Sequence, residues 1–170
     1  MKRVVLFCVC AFAAMSANAS FTVATYADPS IDHADEMFIW DEVASTLSGS
    51  WNKDGMVVKT PGLIGGGEVV NAKMQFDVVD LTPIIAGELY IMGAGRVRFY
   101  TDDLNNPFMT ITYSGGVFET HSALGGSTLI GNDVKFAGQN VPNGLTDEQF
   151  SFSLTNETDK GDKTSYTSSF

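Results

Sequence analysis

Apolar and polar residues alternate along several short segments of this chain. The clearest is Val70–Val78, where positions 70, 72, 74, 76 and 78 are apolar and the positions between them are Asn71, Lys73, Gln75 and Asp77. A period of two turns one face of a β-strand towards a core and the other towards water. Gln149–Thr155 repeats the pattern, with its apolar residues at positions 150, 152 and 154. The alternation predicts a strand over each segment.

Less regular runs rich in β-formers occupy most of the remaining chain. Leu89–Met92 is apolar on both faces, which is typical of a central strand. In Arg96–Thr101, Val97 and Phe99 are predicted to point inward and both arginines outward. Met37–Ser45 fits either a strand or a helical turn. The other predicted strands are Phe21–Tyr26, Leu47–Trp51, Met56–Lys59, Met109–Tyr113, Val117–Thr120, Ser127–Ile130 and Val134–Ala137.

Turn residues separate these runs, for example at Asn52–Gly55, Ser114–Gly116 and Gly131–Asp133. Strand signals that recur about every eight to twelve residues indicate an all-β fold. We expect a single domain over residues 20–155, an antiparallel β-sandwich of jelly-roll type, with a barrel as the alternative. Residues 156–170 are polar and poor in apolar side chains, which predicts a linker or a frayed end.

The first nineteen residues have the layout of a secretory signal peptide. Lys2 and Arg3 precede an apolar run over residues 4–15, and small residues at positions 17 and 19 suit cleavage between Ala19 and Ser20. The apolar run is shorter than the ~20 residues that span a bilayer. Both cysteines lie within this leader, so we expect a secreted chain without thiols, disulfides or an integral membrane segment.

Charge excludes one class of partner. The leader holds two of the ten basic residues and none of the twenty acidic residues, so eight basic residues remain and the formal net charge of the mature chain is −12. A field of that sign repels nucleic acid and anionic lipid, while it favours solubility and divalent cations. We therefore expect no nucleic-acid partner.

One loop is a candidate for calcium. Asp102, Asp103 and Asn105 bring oxygen ligands together, and hard cations prefer such ligands. The loop lacks the spacing of an EF-hand, and Asx-rich loops also arise from turn formation alone. The acidic segment Asp28–Glu36 allows the same two interpretations. We expect no other cofactor.

No catalytic constellation is apparent. His121–Gly126 lacks the glycines that a nucleophile elbow needs on both sides of Ser122, and His33 and His121 have no paired partner in the sequence. The tryptophans and several tyrosines are predicted to lie in the core, with a sugar-stacking surface as the alternative: Trp40, Trp51, Tyr90, Tyr100 and Tyr113. The sequence predicts a protein that is not an enzyme.

The distal part of the chain carries a family resemblance. Gly144–Asn156 leads into the Thr/Ser-rich stretch Thr164–Phe170. With the leader and the cysteine-free β-rich domain, this layout resembles exported bacterial proteins of the PEP-CTERM (exosortase-sorted) type. Those proteins continue into a Pro-Glu-Pro motif, a membrane helix and a basic tail, and this sequence ends before such a motif. The resemblance implies display at the cell surface or association with the matrix and its exopolysaccharide, and it implies no catalytic residue.

These observations define the functional hypothesis. We expect a secreted or cell-surface β-domain that is structural, adhesive or matrix-associated, with polysaccharide or other envelope components as partners. Two alternatives stay open. One is a small outer-membrane β-barrel, since the chain is long enough for eight strands and ends in Phe170. The other is a calcium-dependent lectin or carbohydrate-active domain built on the same sandwich.

Overall fold

The computed structural model of the protein describes residues 22–27, 35–120 and 127–169. Twelve β-strands make up the regular structure of these residues, and every pairing between them is antiparallel. The predicted all-β antiparallel class is confirmed. The strands are β1 Thr25–Ala27, β2 Phe38–Asp41, β3 Thr46–Lys59, β4 Glu68–Ile85, β5 Leu89–Met92, β6 Gly95–Tyr100, β7 Met109–Tyr113, β8 Gly115–Glu119, β9 Ser127–Asn132, β10 Lys135–Ala137, β11 Ser151–Asp159 and β12 Lys163–Ser169.

Eight strands close into a barrel in the order β3-β2-β12-β11-β9-β8-β5-β4, because β4 pairs back with β3. Four strands extend this barrel at one end: β1 pairs with β3, and β6, β7 and β10 follow one another from β4. We call β4, β6, β7 and β10 the flanking sheet. The long strands β3 and β4 belong to both parts, since different stretches of each pair with different neighbours.

The expected jelly-roll sandwich is therefore corrected, because eight of the strands form the closed barrel that was its alternative. β3 and β4 pair with each other in the barrel and also where the flanking sheet begins. All twelve strands therefore belong to one continuous sheet, whereas a sandwich would have two. The physical reason lies in the length of these two strands. A long strand that bends at bulges can leave one set of neighbours and join another while its hydrogen bonds continue.

Aromatic side chains fill the interior. The ring of Phe38 lies 5.6 Å from that of Phe76 and 5.5 Å from that of Phe152, measured between centroids. Trp40 contacts Tyr90 and Phe118 edge-on, which is a favoured arrangement of aromatic pairs. The core prediction is confirmed for Trp40, Trp51, Tyr90 and Tyr113. Tyr100 is buried outside this core cluster, and all five rings are too covered to form a sugar-stacking surface.

Two bulges in β4 correct the predicted alternation of Val70–Val78. Asn71 is an extra residue of β4, because its neighbours Ala72 and Val70 pair with two successive residues of β3. Its φ is positive, at 54°. A second register shift falls at Asp77 and Val78. Because an extra residue reverses the side on which the following side chains lie, Val70 and Val78 are 62% and 67% exposed. Within this segment, only the central residues at positions 72, 74 and 76 point into the core.

The predicted turn Asn52–Gly55 is also wrong. These four residues lie within β3, opposite the single residue Lys73 of β4. The backbone N–H of Gly55 donates a hydrogen bond of 3.0 Å to the side-chain oxygen of Asn71 on β4. The turn-forming residues therefore build a wide bulge, and the strand continues through it.

The predicted frayed end at residues 156–170 is wrong as well. β11 continues to Asp159, and β12 lies between β11 and β2, where it closes the barrel. Tyr166 is fully buried, and its carbonyl oxygen accepts a hydrogen bond of 2.8 Å from the backbone N–H of Met37. The segment stays in place despite its few apolar residues, because β12 pairs with strands on both sides and Tyr166 packs into the core.

Several sequence predictions lie outside the described residues. They are the leader with its cleavage site at Ala19 and Ser20, residues 28–34 of the acidic segment, both histidines His33 and His121, and the segment His121–Gly126. The ambiguous segment Met37–Ser45 is described, and it forms β2 followed by a turn. No helix in the described part of the chain is long and apolar enough to cross a membrane.

Candidate functional site

The outer surface of the flanking sheet is its most polar side, because the apolar residues of these strands point inward. On β6, Val97 and Phe99 are buried while Arg96 and Arg98 alternate with them on the outer side. On β7, the buried residues are likewise separated by Thr110 and Thr112. This alternation follows from the pleat of a strand that covers a core on one face only.

Register then aligns the outward side chains into two rows across the strands. Arg98 lies opposite Gln75 on β4 and opposite Thr110 on β7. Arg96 lies opposite Thr112, which in turn lies opposite Lys135 on β10. We call this surface the polar face and define it by Lys73, Gln75, Asp77, Arg96, Arg98, Thr110, Thr112 and Lys135.

Asp77 connects the two arginines of the polar face. Its Oδ2 accepts a hydrogen bond of 3.0 Å from Nε of Arg96, and its Oδ1 accepts one of 2.8 Å from Nη2 of Arg98. Asp77 follows the pair formed by Phe76 and Val97, so the register of β4 and β6 places its carboxylate beside Arg96. Arg98 is mostly covered, whereas the Arg96 side chain is 54% exposed. The carboxylate therefore orients both guanidinium groups and leaves one of them at the surface.

Two buried polar atoms lie close to this cluster. Nε of Arg98 and the hydroxyl of Tyr113 have no hydrogen-bond partner among the described residues. Burial raises the pKa of Tyr113 well above its ordinary value of 10.0, and the negative charge of Asp77 raises it further. Tyr113 is therefore a neutral phenol at physiological pH, and it supports the polar face from the core side of the sheet.

Lys135 is held at the edge of the polar face by Glu148. The Glu148 carboxylate accepts a hydrogen bond of 3.2 Å from Nζ of Lys135 and one of 2.9 Å from the backbone N–H of Phe136. Its side chain is only 6% exposed. The carboxylate thus takes the place that a neighbouring strand would occupy beside β10, which protects an exposed sheet edge.

The loop proposed for calcium has the geometry of an Asx turn. Oδ1 of Asp103 accepts hydrogen bonds from the backbone N–H of Asn105, at 2.9 Å, and from its side-chain amide, at 3.2 Å. Asp102 precedes this turn in the connection between β6 and β7. In the described part of the chain, no three histidine, cysteine or acidic side chains are grouped so that they could hold a metal ion.

A cleft of about 1280 Å³ lies between β1 and the segment Gly144–Ser153. Its floor includes Phe99, Met109 and Ile111, which are themselves core residues with almost no exposed surface. The cleft is therefore an opening above an already packed core, and we do not take it as the functional site.

The sequence showed only part of the polar face. It predicted that Arg96 and Arg98 point outward, and the structure places them so. It did not indicate that Asp77 pairs with both, since the residues are about twenty positions apart. Nor did it bring Thr112 and Lys135 beside Arg96. The available signal was the alternation of basic and apolar residues in β6, which is unusual in so acidic a chain.

Comparison of the chain with models of protein families, with curated proteins and with solved structures gives no match.

Proposed function

We propose that this protein is an exported, non-enzymatic β-domain that attaches to polysaccharide of the cell envelope or matrix through the polar face. The observation that carries the proposal is the pair of cross-strand rows on the flanking sheet. Side chains that donate or accept hydrogen bonds lie next to one another there on three or four neighbouring strands.

The spacing of these side chains suits an extended polymer. Neighbouring strands lie about 4.8 Å apart, so a row across four strands presents polar groups over roughly 15 Å. A polysaccharide offers hydroxyl and acidic groups along its whole length. Many weak contacts made at the same time give a higher overall affinity than any one of them. Such a surface needs no deep pocket.

The sequence supports the location of this activity. The leader predicts export, and the layout of the chain resembles exosortase-sorted surface proteins. The outward positions 151, 153 and 155 of β11 carry serine and threonine, so the outer surface of the barrel is polar at this strand too. A water-facing domain displayed outside the cell is consistent with these features.

Binding is tested by affinity gel electrophoresis on a panel of soluble polysaccharides, with protein recovered after export of the full chain. We expect slower migration in at least one polysaccharide gel. The variant Thr110→Ala/Thr112→Ala removes two hydroxyls from the polar face and is expected to weaken that retardation. The matched variant Ser151→Ala/Ser153→Ala removes two outward hydroxyls from β11 and is expected to migrate as the wild type does.

Two results would overturn the proposal. One is unretarded migration in every polysaccharide of the panel. The other is recovery of the protein from the cytosol with residues 1–19 still attached, because a cytosolic chain does not meet the envelope. N-terminal sequencing of the recovered protein, with Ser20 expected as the first residue, decides the second point.

A further inference from the structure

We infer that the polar face selects an anionic polysaccharide, and that the Arg96 guanidinium binds a carboxylate of that polymer. The inference rests on the proposed function and adds the chemical class of the ligand and the residue that recognises it. It starts from the distribution of charge, which differs between this face and the rest of the chain.

Half of the basic residues outside the leader lie on the polar face. These are Lys73, Arg96, Arg98 and Lys135, four of the eight that remain after residue 19. The acidic groups near them are Asp77, Asp133 and Glu148, together with Asp54 in the β3 bulge opposite Lys73 and Asp80 on the outer side of β4. Four basic and five acidic groups nearly cancel on this face, whereas the mature chain as a whole has a formal net charge of −12.

The two aspartates of the connection between β6 and β7 change the charge near Arg96 little at physiological ionic strength. Asp102 and Asp103 follow the far end of β6, and the extended strand from Arg96 to Tyr100 alone spans about 13 Å before the bend that carries them. Exposed charges are largely screened beyond about 8 Å in 0.15 M salt. A ligand in contact with the face is thus influenced mainly by the groups that line it.

Two of the nearby acidic groups already have partners. Asp133 accepts a hydrogen bond of 2.7 Å from the hydroxyl of Ser114, and Glu148 is bound to Lys135 and to the backbone of β10. Asp77 is shared by two arginines, so one positive charge of that cluster is left uncompensated.

Arg96 is the arginine that a ligand can reach. Its Nε donates to Asp77, which orients the guanidinium, and the side chain as a whole is 54% exposed. A guanidinium binds a carboxylate through two parallel N–H···O bonds, and a pre-oriented one loses less conformational entropy when it does so. The hydroxyl of Thr112, next in the same row, donates a hydrogen bond of 3.5 Å to the carbonyl oxygen of Lys135, and its oxygen can still accept one from a sugar hydroxyl.

The test uses polygalacturonate and its fully methyl-esterified form, which share a backbone and differ in the charge of the carboxyl group. We expect the full exported protein to be retarded by polygalacturonate, less so as salt rises, and only weakly by the ester. Arg96→Gln is expected to weaken binding to polygalacturonate about tenfold, since charged hydrogen bonds are among the stronger ones. Arg96→Lys keeps the charge without the paired geometry and should lie between the two.

Lys163→Gln is the matched control. Lys163 is 57% exposed and pairs with an aspartate, as Arg96 does, but it lies on β12 of the barrel. Its replacement should change affinity by less than about twofold. Melting curves of all variants show whether the fold is kept.

Equal retardation by the acid and the ester, or unchanged affinity in a folded Arg96→Gln variant, would overturn this inference and leave the proposed function standing. Absence of retardation by either polymer, together with a negative polysaccharide panel, would overturn both.

Discussion

The closing strand of the barrel offers the sharpest test of the fold. Tyr166 lies on β12, between β2 and β11, and none of its surface is exposed. Replacement of a buried aromatic side chain by alanine costs about 3–5 kcal/mol, because apolar contact is lost and a cavity remains. We therefore expect Tyr166→Ala to lower the free energy of unfolding by that amount.

That loss is large compared with the total. Domains of this kind have unfolding free energies of about 5–15 kcal/mol, so the variant would lose a substantial part of its stability. At about 2–4 °C for each kcal/mol in a chain of this length, the melting temperature should fall by roughly 6–20 °C. A residue in a frayed terminus would change the stability by less than about 0.5 kcal/mol.

The assay is urea unfolding followed by tryptophan fluorescence, since Trp40 and Trp51 are both buried in the core. Lys163→Ala on the same strand is the control. It removes an exposed ion pair with Asp41, 2.9 Å long, which is worth at most about 1 kcal/mol. If the two variants unfold at the same urea concentration and with the same slope, β12 does not close the barrel.

Three further predictions test the bulge, the acid stability and the calcium hypothesis. Asn71→Ala should destabilise the protein by about 1–2 kcal/mol, because alanine disfavours a positive φ. Asn71→Gly should destabilise it by less, since glycine adopts a positive φ readily. Equal urea midpoints for the two variants would contradict the bulge. The pKa of Asp41 is held below its ordinary 3.8 by the backbone N–H of Ala44 first and by Lys163 second, so its stabilising contribution is present at neutral pH and lost as pH falls through the lowered pKa. Asp41→Asn should accordingly flatten the fall of the urea midpoint in acid, and an unaltered pH profile would refute this role. The melting temperature should be the same with excess calcium as with a chelator, because the Asp103 carboxylate is engaged in an Asx turn. A rise of several degrees with calcium would show that the loop binds the ion.

Local pattern identified most of the strands. Leu89–Met92 and Met109–Tyr113 match β5 and β7 to the residue, because each is a short apolar or alternating run between turn residues. The outward direction of Arg96 and Arg98 was predictable for the same reason. The period of a strand is a property of neighbouring residues, and no distant contact is needed to see it.

Features that depend on distant residues could not be read in this way. The bulge at Asp77–Val78 lies between the part of β4 that pairs with β6 and the part that pairs with β5. Val70 and Val78 continue the apolar alternation in sequence, yet the bulges leave both of them exposed. The same holds for Asn52–Gly55, whose composition is that of a turn. Pairing with β4 keeps the strand continuous there.

The sequence by itself determined the all-β class, the positions of most strands and the acidic character of the chain, since each depends on composition or on residues close together. Only the tertiary structure decided that the barrel closes, that the polar C-terminal segment supplies its last strand, and that Asp77, Arg96 and Lys135 meet on one face. The reason is that a backbone in the middle of a sheet is stabilised by hydrogen bonds to both neighbours. The backbone of every residue except proline can make both bonds whatever its side chain, so the apolar content of a segment does not reveal them.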